Sequence, residues 1–131
     1  MRGIQMLGLS MIPGTSYSPS KAFIAFAREF FEALAVEDYQ AALSKFDVSA
    51  KSWSKKNLVS ELKAVIGTNS ICSAKGFTQS ASSVLEQTES GYILEHRLPV
   101  QGKWAKAKAI FEFVQKPNSD YYSVVLRGFM P

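Results

Sequence analysis

The chain has 131 residues, of which 47% are hydrophobic, 20% charged and 12% aromatic, and its formal net charge is +4. This length fits one domain that buries a core without disulfides, and the aromatic content excludes a disordered chain. A single cysteine excludes an intrachain disulfide, and no apolar run of about 18 residues predicts a membrane span.

Residues 1–17 form a weakly apolar segment that Gln5, Gly8 and Ser10 interrupt. We interpret this segment as an N-terminal arm in front of a single domain over residues 18–131. A poor secretory signal peptide is the alternative, although no small-x-small cleavage site follows clearly. The expected location of the protein is therefore the cytoplasm.

The first half of the domain carries helical patterns. Ser18-Pro19 is typical of a helix start, because serine can accept a bond from a free N–H and proline loses nothing at the first position. Aromatic and aliphatic residues then recur at helical spacing as far as Leu34. A short second helix is predicted near Asp38, after a break at Val36-Glu37.

A third helix is predicted to begin after Ser54 and to end at Gly67. Trp53 and a leucine five residues later are spaced as a hydrophobic staple. Lys55 and Lys56 lie in the first turn, where ammonium groups and free N–H groups could hold an anion. The alternative is that both lysines are simply exposed and solvated.

The second half carries strand patterns, predicted over residues 83–88, 92–100, 103–115 and 121–130. A two-residue turn at Gln101-Gly102 predicts a hairpin in which His96 lies opposite Ala107. The alternation then gives one apolar face for the helices and one mixed face for solvent. The predicted fold class is α+β, with helices packed on a curved antiparallel sheet of about four strands.

The inner face of this sheet is the predicted ligand pocket. His96, the only histidine, could act there as a general acid or base beside Tyr92 or Tyr122. The alternative is a core histidine bonded to a neighbour. In the predicted register Gly128 lies opposite Ala109, so small residues cluster at this position. The residues predicted to line the pocket are Tyr92, Leu94, His96, Ala107, Ala109, Phe111 and Leu126.

The outer face is the predicted interface, because large apolar groups gathered on a surface normally mark a contact with another protein. We expect a homodimer through this face. The predicted interface residues are Ile93, Trp104, Ile110, Val125 and Phe129.

Neither a metal site nor a cofactor site is predicted. One histidine and one cysteine, without spaced carboxylates, cannot make an ordinary zinc set. The lysines form two loose groups, at 51–56 and 103–108, and not one concentrated basic face, so nucleic-acid binding is only the third hypothesis.

The order of elements resembles the cone-shaped α+β roll of the nuclear transport factor 2-like (NTF2-like) superfamily. Residues 30–42 resemble its helix–break–helix opening, with Glu37 where a glycine is usual, and residues 104–129 are similar to its terminal hairpin of long strands. The superfamily includes isomerases, dehydratases and polyketide cyclases, and also many binding modules. Its enzymes place a histidine, aspartate or tyrosine inside the cone.

The resemblance leaves three functions open. A non-catalytic domain that binds a small apolar ligand or a protein partner is the leading hypothesis, because no carboxylate base is predicted inside the cone. A small lyase or isomerase of the SnoaL or ketosteroid isomerase type, using His96, is the alternative. Anion or nucleic-acid binding through the lysines is the third.

Overall fold

The computed structural model describes residues 5–6, 10–13, 19–119 and 121–131, with side chains described from residue 20. Within these ranges the chain forms three helices and six strands. None of the described helices is long and apolar enough to cross a membrane. The helices are α1 (Pro19–Ala35), α2 (Tyr39–Leu43) and α3 (Lys55–Ile66); the strands are β1 (Gln5–Met6), β2 (Ser10–Pro13), β3 (Val84–Gln87), β4 (Gly91–Val100), β5 (Lys103–Gln115) and β6 (Tyr121–Met130).

The strands form one antiparallel sheet in the order β1-β2-β6-β5-β4-β3, and the helices pack on one face of it. The predicted α+β class is confirmed, and the strands β3 to β6 correspond to the four that the sequence predicts. Strands β1 and β2 extend the sheet beside β6, within the segment that we interpreted as an arm. Helix α1 begins at Pro19 as predicted, whereas Ser18 and the rest of the arm lie outside the described residues.

Helix α1 ends at a residue with left-handed backbone geometry. Glu37 has a φ of 58°, and its N–H donates to the Leu34 carbonyl at 3.0 Å. The N–H of Asp38 donates to the Ala33 carbonyl at 2.9 Å, which completes a Schellman motif. Glutamate therefore occupies the position at the helix end that glycine takes most readily.

Helix α3 has the predicted ends. The Ser54 hydroxyl accepts the N–H of Asn57 at 3.1 Å, and the Asn57 side-chain oxygen accepts the N–H of Ser54 at 2.8 Å. These reciprocal bonds satisfy two free donors of the first turn. Gly67, with a φ of 64°, closes the helix.

Residues 47–53, the edge segment, cover the part of β6 that β2 leaves unpaired. The N–H of Asp47 donates to the Val124 carbonyl, the Trp53 indole N–H to the Leu126 carbonyl and the Lys51 ammonium to the Arg127 carbonyl, each at 2.8 Å. Strand β2 pairs only with residues 121–123. The edge segment therefore satisfies carbonyl groups that would otherwise face solvent or a foreign strand.

The hairpin at Gln101-Gly102 forms as predicted, but its register changes within a few residues. Pro99 pairs with Trp104 as expected, whereas His96 lies opposite Ala109 and not Ala107, because β5 bulges between these two pairs. Proline lacks the N–H that the ladder needs, so it sits at such irregularities. The bulge turns Trp104 inward to contact His96, so the predicted outward position of Trp104 is wrong.

A second bulge changes the predicted register near the end of β6. Gly128, with a φ of 148°, lies opposite Ile110 and not Ala109 as predicted. Only glycine adopts this backbone geometry readily. The bulge turns Phe129 to the helix-covered face, where its ring lies 6.1 Å from that of Trp53, so the predicted outward position of Phe129 is also wrong.

The core between helices and sheet is built from aromatic rings. Phe23 stacks on Phe113 with ring centroids 3.9 Å apart, and Phe30 meets Phe111 edge-on at 5.7 Å. Aromatic pairs of this kind add to the area that they bury. The largest fully buried aromatic side chains are Phe23, Phe30, Phe31, Phe46, Phe111 and Phe113.

Candidate functional site

His96 lies on β4 and is fully enclosed between helix and sheet. Its side chain is 1% exposed, and its ring lies 5.2 Å from Phe31 and 5.3 Å from Trp104. Its Nδ1 lies 2.8 Å from the Arg97 carbonyl oxygen, so Nδ1 carries the proton and donates. Nε2 has no hydrogen-bond partner in the described part of the chain.

The surroundings of His96 favour the neutral imidazole. Burial lowers the pKa of His96 below its ordinary value of 6.5, and the nearby Arg28 cation lowers it further. The bond to the Arg97 carbonyl acts in the opposite direction. Arg28 also lies over the Trp104 ring, 5.2 Å from its centroid.

The two tyrosines lie elsewhere in the core. The Tyr92 and Tyr122 rings are 6.2 Å apart and both flank Phe23. Tyr92 is four residues from His96 along β4, which corresponds to about 13 Å of strand. Burial and the neighbouring Tyr92 raise the pKa of Tyr122. The structure thus brings the tyrosines together and leaves His96 outside their reach.

The residues predicted to line a pocket in the cone take part in close packing instead. Each is buried except Tyr92, which is half-buried against the core, and none of them lines either of the two cavities described below. Phenylalanine rings of α1 fill the space that a ligand would need. The packed residues of the predicted set are Leu94, His96, Ala107, Ala109, Phe111 and Leu126.

The outer face of the sheet is a mosaic of apolar and charged side chains. Ile93 and Ile110 are half-buried there, whereas Val125 is only 2% exposed. Lys108 pairs with Glu95 at 3.5 Å, diagonally and not directly opposite as the sequence register predicted. Arg127 likewise pairs with Glu112, its Nε donating at 2.6 Å.

The predicted anion candidates lie at the start of α3. Lys55 and Lys56 are both exposed, and the Lys55 ammonium lies 5.5 Å from the Tyr39 ring centroid. The capping box has already satisfied two donors of this helix end. The structure therefore gives Lys55 an aromatic partner within the chain.

One cavity lies between the end of α1, one face of α3 and residues 67–71. This α1–α3 groove encloses about 440 Å³. Its lining contains both apolar and polar residues. The apolar lining residues, here called the floor, include Leu34, Val59, Leu62, Ile66 and Ile71; the polar lining residues, here called the rim, include Glu37, Tyr39 and Lys63.

Sequence reasoning missed this groove. Val59, Leu62 and Ile66 recur at the spacing of one helix face, which was a signal for a contact stripe. Leu62 is buried, whereas Val59 and Ile66 are only half-buried, so the stripe is incompletely covered. A second cavity of about 360 Å³ lies between residues 76–79 and the hairpin turn and is lined by Trp104.

The rim of the groove near α1 is negative. Helix α1 has no basic residue in its last turn, so the partial negative charge of its C-terminus is not balanced within the helix. Burial raises the pKa of Tyr39, and the Glu37 carboxylate, which hydrogen-bonds with it, raises the pKa further. Lys63 also lines the groove and lies in the last turn of α3, where its ammonium balances the partial negative charge of that helix's C-terminus.

The fold and these cavities define an α+β domain with helices on one face of an antiparallel sheet and a groove between two of the helices. Among the described residues, no three His, Cys, Asp or Glu side chains come together as a metal-binding group. Comparison with protein-family models, with curated proteins and with solved structures yields no match.

Proposed function

We propose that this chain is a non-catalytic binding domain of the NTF2-like type, and that it binds a small apolar ligand in the α1–α3 groove. The observation that carries the proposal is the contrast between a filled cone and an open groove. A ligand site is a concave, mostly apolar surface with a few polar groups at its margin. The α1–α3 groove brings apolar side chains and polar groups together in one concave surface, whereas the cone interior is closely packed.

The packing around His96 supports a non-catalytic function. A general acid or base must come within about 2.6–3.2 Å of the substrate proton it transfers. Phe31 and Trp104 enclose the His96 ring, and the tyrosines that could polarise a substrate oxygen lie at the other end of the core. The lyase or isomerase alternative would need a cavity that reaches the unpartnered Nε2.

Titration of the ¹⁵N-labelled protein with 1-octanol tests the proposal. We expect amide shifts concentrated at Val59, Leu62 and Ile66, because these residues line the groove. The imidazole resonances of His96 should stay unchanged because the ring is enclosed.

Two substitutions on α3 provide the control. Val59→Trp should fill the groove and weaken octanol binding, whereas Ala64→Trp, on an exposed position of the same helix, should not. Shifts centred on His96 and Tyr92 would contradict the groove and favour the enzyme. Equal effects of the two variants would also count against the groove.

We further propose a homodimer through the outer face of the sheet. Ile93 and Ile110 provide its half-buried centre, with exposed Val84 and Met130 on the same face. Lys108 and Glu95 give the face charges of both signs, which a two-fold axis can pair across two copies. A protein partner, the other possibility left open by the sequence, would use this same surface.

The Ile110→Glu variant should be monomeric and folded, because the added charge faces solvent in the monomer and the partner in the dimer. Sedimentation velocity at about 100 µM is the measurement, and the expected change is from dimer to monomer. Val36→Glu, at an exposed apolar position outside the sheet, is the matched control and should leave the dimer intact. A monomeric unmodified protein at this concentration would refute the dimer.

A further inference from the structure

We propose that the α1–α3 groove selects amphipathic amines, with a protonated amino group at the Glu37–Tyr39 end and an apolar chain along Leu62 and Ile66. This inference rests on the proposed function and adds the chemical class of the ligand. It is carried by the charges, the aromatic ring and the apolar floor that meet in one cavity.

Two sources of negative charge at the Glu37 end of the groove attract a cation. Glu37 lines the cavity directly after the last turn of α1, and its carboxylate hydrogen-bonds with Tyr39, which also lines the cavity. The C-terminus of a helix carries roughly half a negative charge, which favours cations within its last turn. Since α1 has no basic residue there, both sources are available to a ligand.

An ammonium group already occupies the neighbourhood of the Tyr39 ring. The Lys55 Nζ lies 5.5 Å from the ring centroid, within the range in which a cation is attracted to an aromatic face. The Lys55 side chain is exposed and long, so it can move into solvent at small cost. The Tyr39 ring, which lines the groove, thus already attracts an ammonium group of the chain itself.

The part of the groove that Lys63 lines suits a ligand tail that carries no second positive charge. Lys63 lines that part and would repel another cation, while Leu62, Ile66 and Ile71 offer apolar surface. A diamine would therefore place its second ammonium near a like charge. A monoamine with an apolar tail matches both ends.

Three probes of equal chain length test this inference: n-octylamine, 1-octanol and octanoate. Amide shifts of the groove residues report the dissociation constant of each. We expect octylamine to bind about fivefold more tightly than octanol, in line with one exposed ion pair and one cation–π contact. Octanoate should bind more weakly than octanol because Glu37 repels it.

Three variants locate the effect. Glu37→Gln should reduce the preference for amine over alcohol, because it removes the carboxylate and leaves the helix C-terminus and the Tyr39 ring in place. Lys55→Gln should increase the affinity for the amine because it removes the competing ammonium. Glu86→Gln, an exposed glutamate on β3, should leave the ratio unchanged. Retained peak dispersion in each spectrum confirms folding.

The outcomes separate this inference from the function that it extends. Equal binding of all three probes in the groove would overturn the preference for amines and leave the apolar site in place. An amine preference that is undiminished in the Glu37→Gln variant would overturn the assignment of the amino group to this end. Absence of groove shifts with every probe would overturn both proposals.

Discussion

Replacing Gly91 with alanine should destabilise the protein by about 3 kcal/mol, near the upper end for overpacking. Gly91 begins β4 and pairs with Val114 of β5. A Cβ atom built on Gly91 would overlap the carbonyl oxygen of Phe113 and lie 2.9 Å from the carbon of that carbonyl. These are backbone atoms of the neighbouring strand, so the strands would have to separate locally.

The turn beside Gly91 leaves little room for such a movement. The Thr88 N–H donates to the Gly91 carbonyl and the Gln115 N–H to the Ser90 carbonyl, both at 2.8 Å. Urea denaturation measures the change, and Ser90→Ala, at the exposed neighbouring position, should change the free energy of unfolding by less than about 0.5 kcal/mol. A Gly91→Ala variant as stable as the Ser90→Ala variant would show that the strands can shift freely.

Replacing Asp47 with alanine should lower the free energy of unfolding by about 2–3 kcal/mol at neutral pH, because the buried Ser123 hydroxyl loses its acceptor. The Asp47 carboxylate accepts the Ser123 hydroxyl at 2.8 Å, and the Ser49 hydroxyl at 2.6 Å. Both Asp47 and Ser123 are buried, and the Lys116 ammonium lies 3.8 Å away. The variant would also loosen the edge segment that Asp47 anchors on β6.

The contribution of Asp47 to the free energy of unfolding should depend on pH. The Ser49 hydroxyl, followed by the Ser123 hydroxyl, lowers the pKa of Asp47 below its ordinary value of 3.8, although burial acts in the opposite direction. A carboxyl group whose pKa is lower in the folded than in the unfolded state stabilises the fold above the unfolded pKa. That contribution is lost as the pH falls through the folded pKa.

Urea denaturation of the wild type and of Asp47→Asn, a variant of nearly the same shape, measures this dependence. The two free energies of unfolding should differ most above about pH 5 and converge below the folded pKa of Asp47. A constant difference across this range would show that ionisation of Asp47 contributes nothing.

Local patterns predicted the elements well because each was determined by neighbouring residues. Ser54 and Gly67 marked the ends of α3, and the described bounds agree with them. The two-residue turn at Gln101-Gly102 predicted the hairpin, since both residues can adopt positive φ. The bounds of β5 and β6 were likewise predicted from alternation between recognisable turns.

The bulges were harder to predict because each depends on one residue inside a strand. Pro99 and Gly128 were visible signals, since neither fits an uninterrupted central strand. Treating the strands as regular placed Trp104 and Phe129 on the outer face, and each bulge reverses that placement. The Gly128 conformation, with a φ of 148°, is the physical cause at the end of β6.

The groove could not be predicted because its walls come from distant parts of the chain. Leu34 ends α1, Ile66 ends α3 and Ile71 lies in a polar connector, and only the tertiary fold brings them together. The close packing of the predicted pocket could not be predicted for the same reason, because it too depends on the tertiary fold. The Phe23 and Phe30 rings occupy the space that a sheet register alone leaves empty.

The left-handed turn at Glu37 carries a conformational cost that glycine would avoid, on the order of 1 kcal/mol for an L-residue. Strained backbone positions of this kind concentrate where a side chain is needed for binding. Glycine would relax the turn and remove the carboxylate from the rim of the groove. Under the proposal that Glu37 binds the amino group of a ligand, stability and ligand selection compete at this one residue.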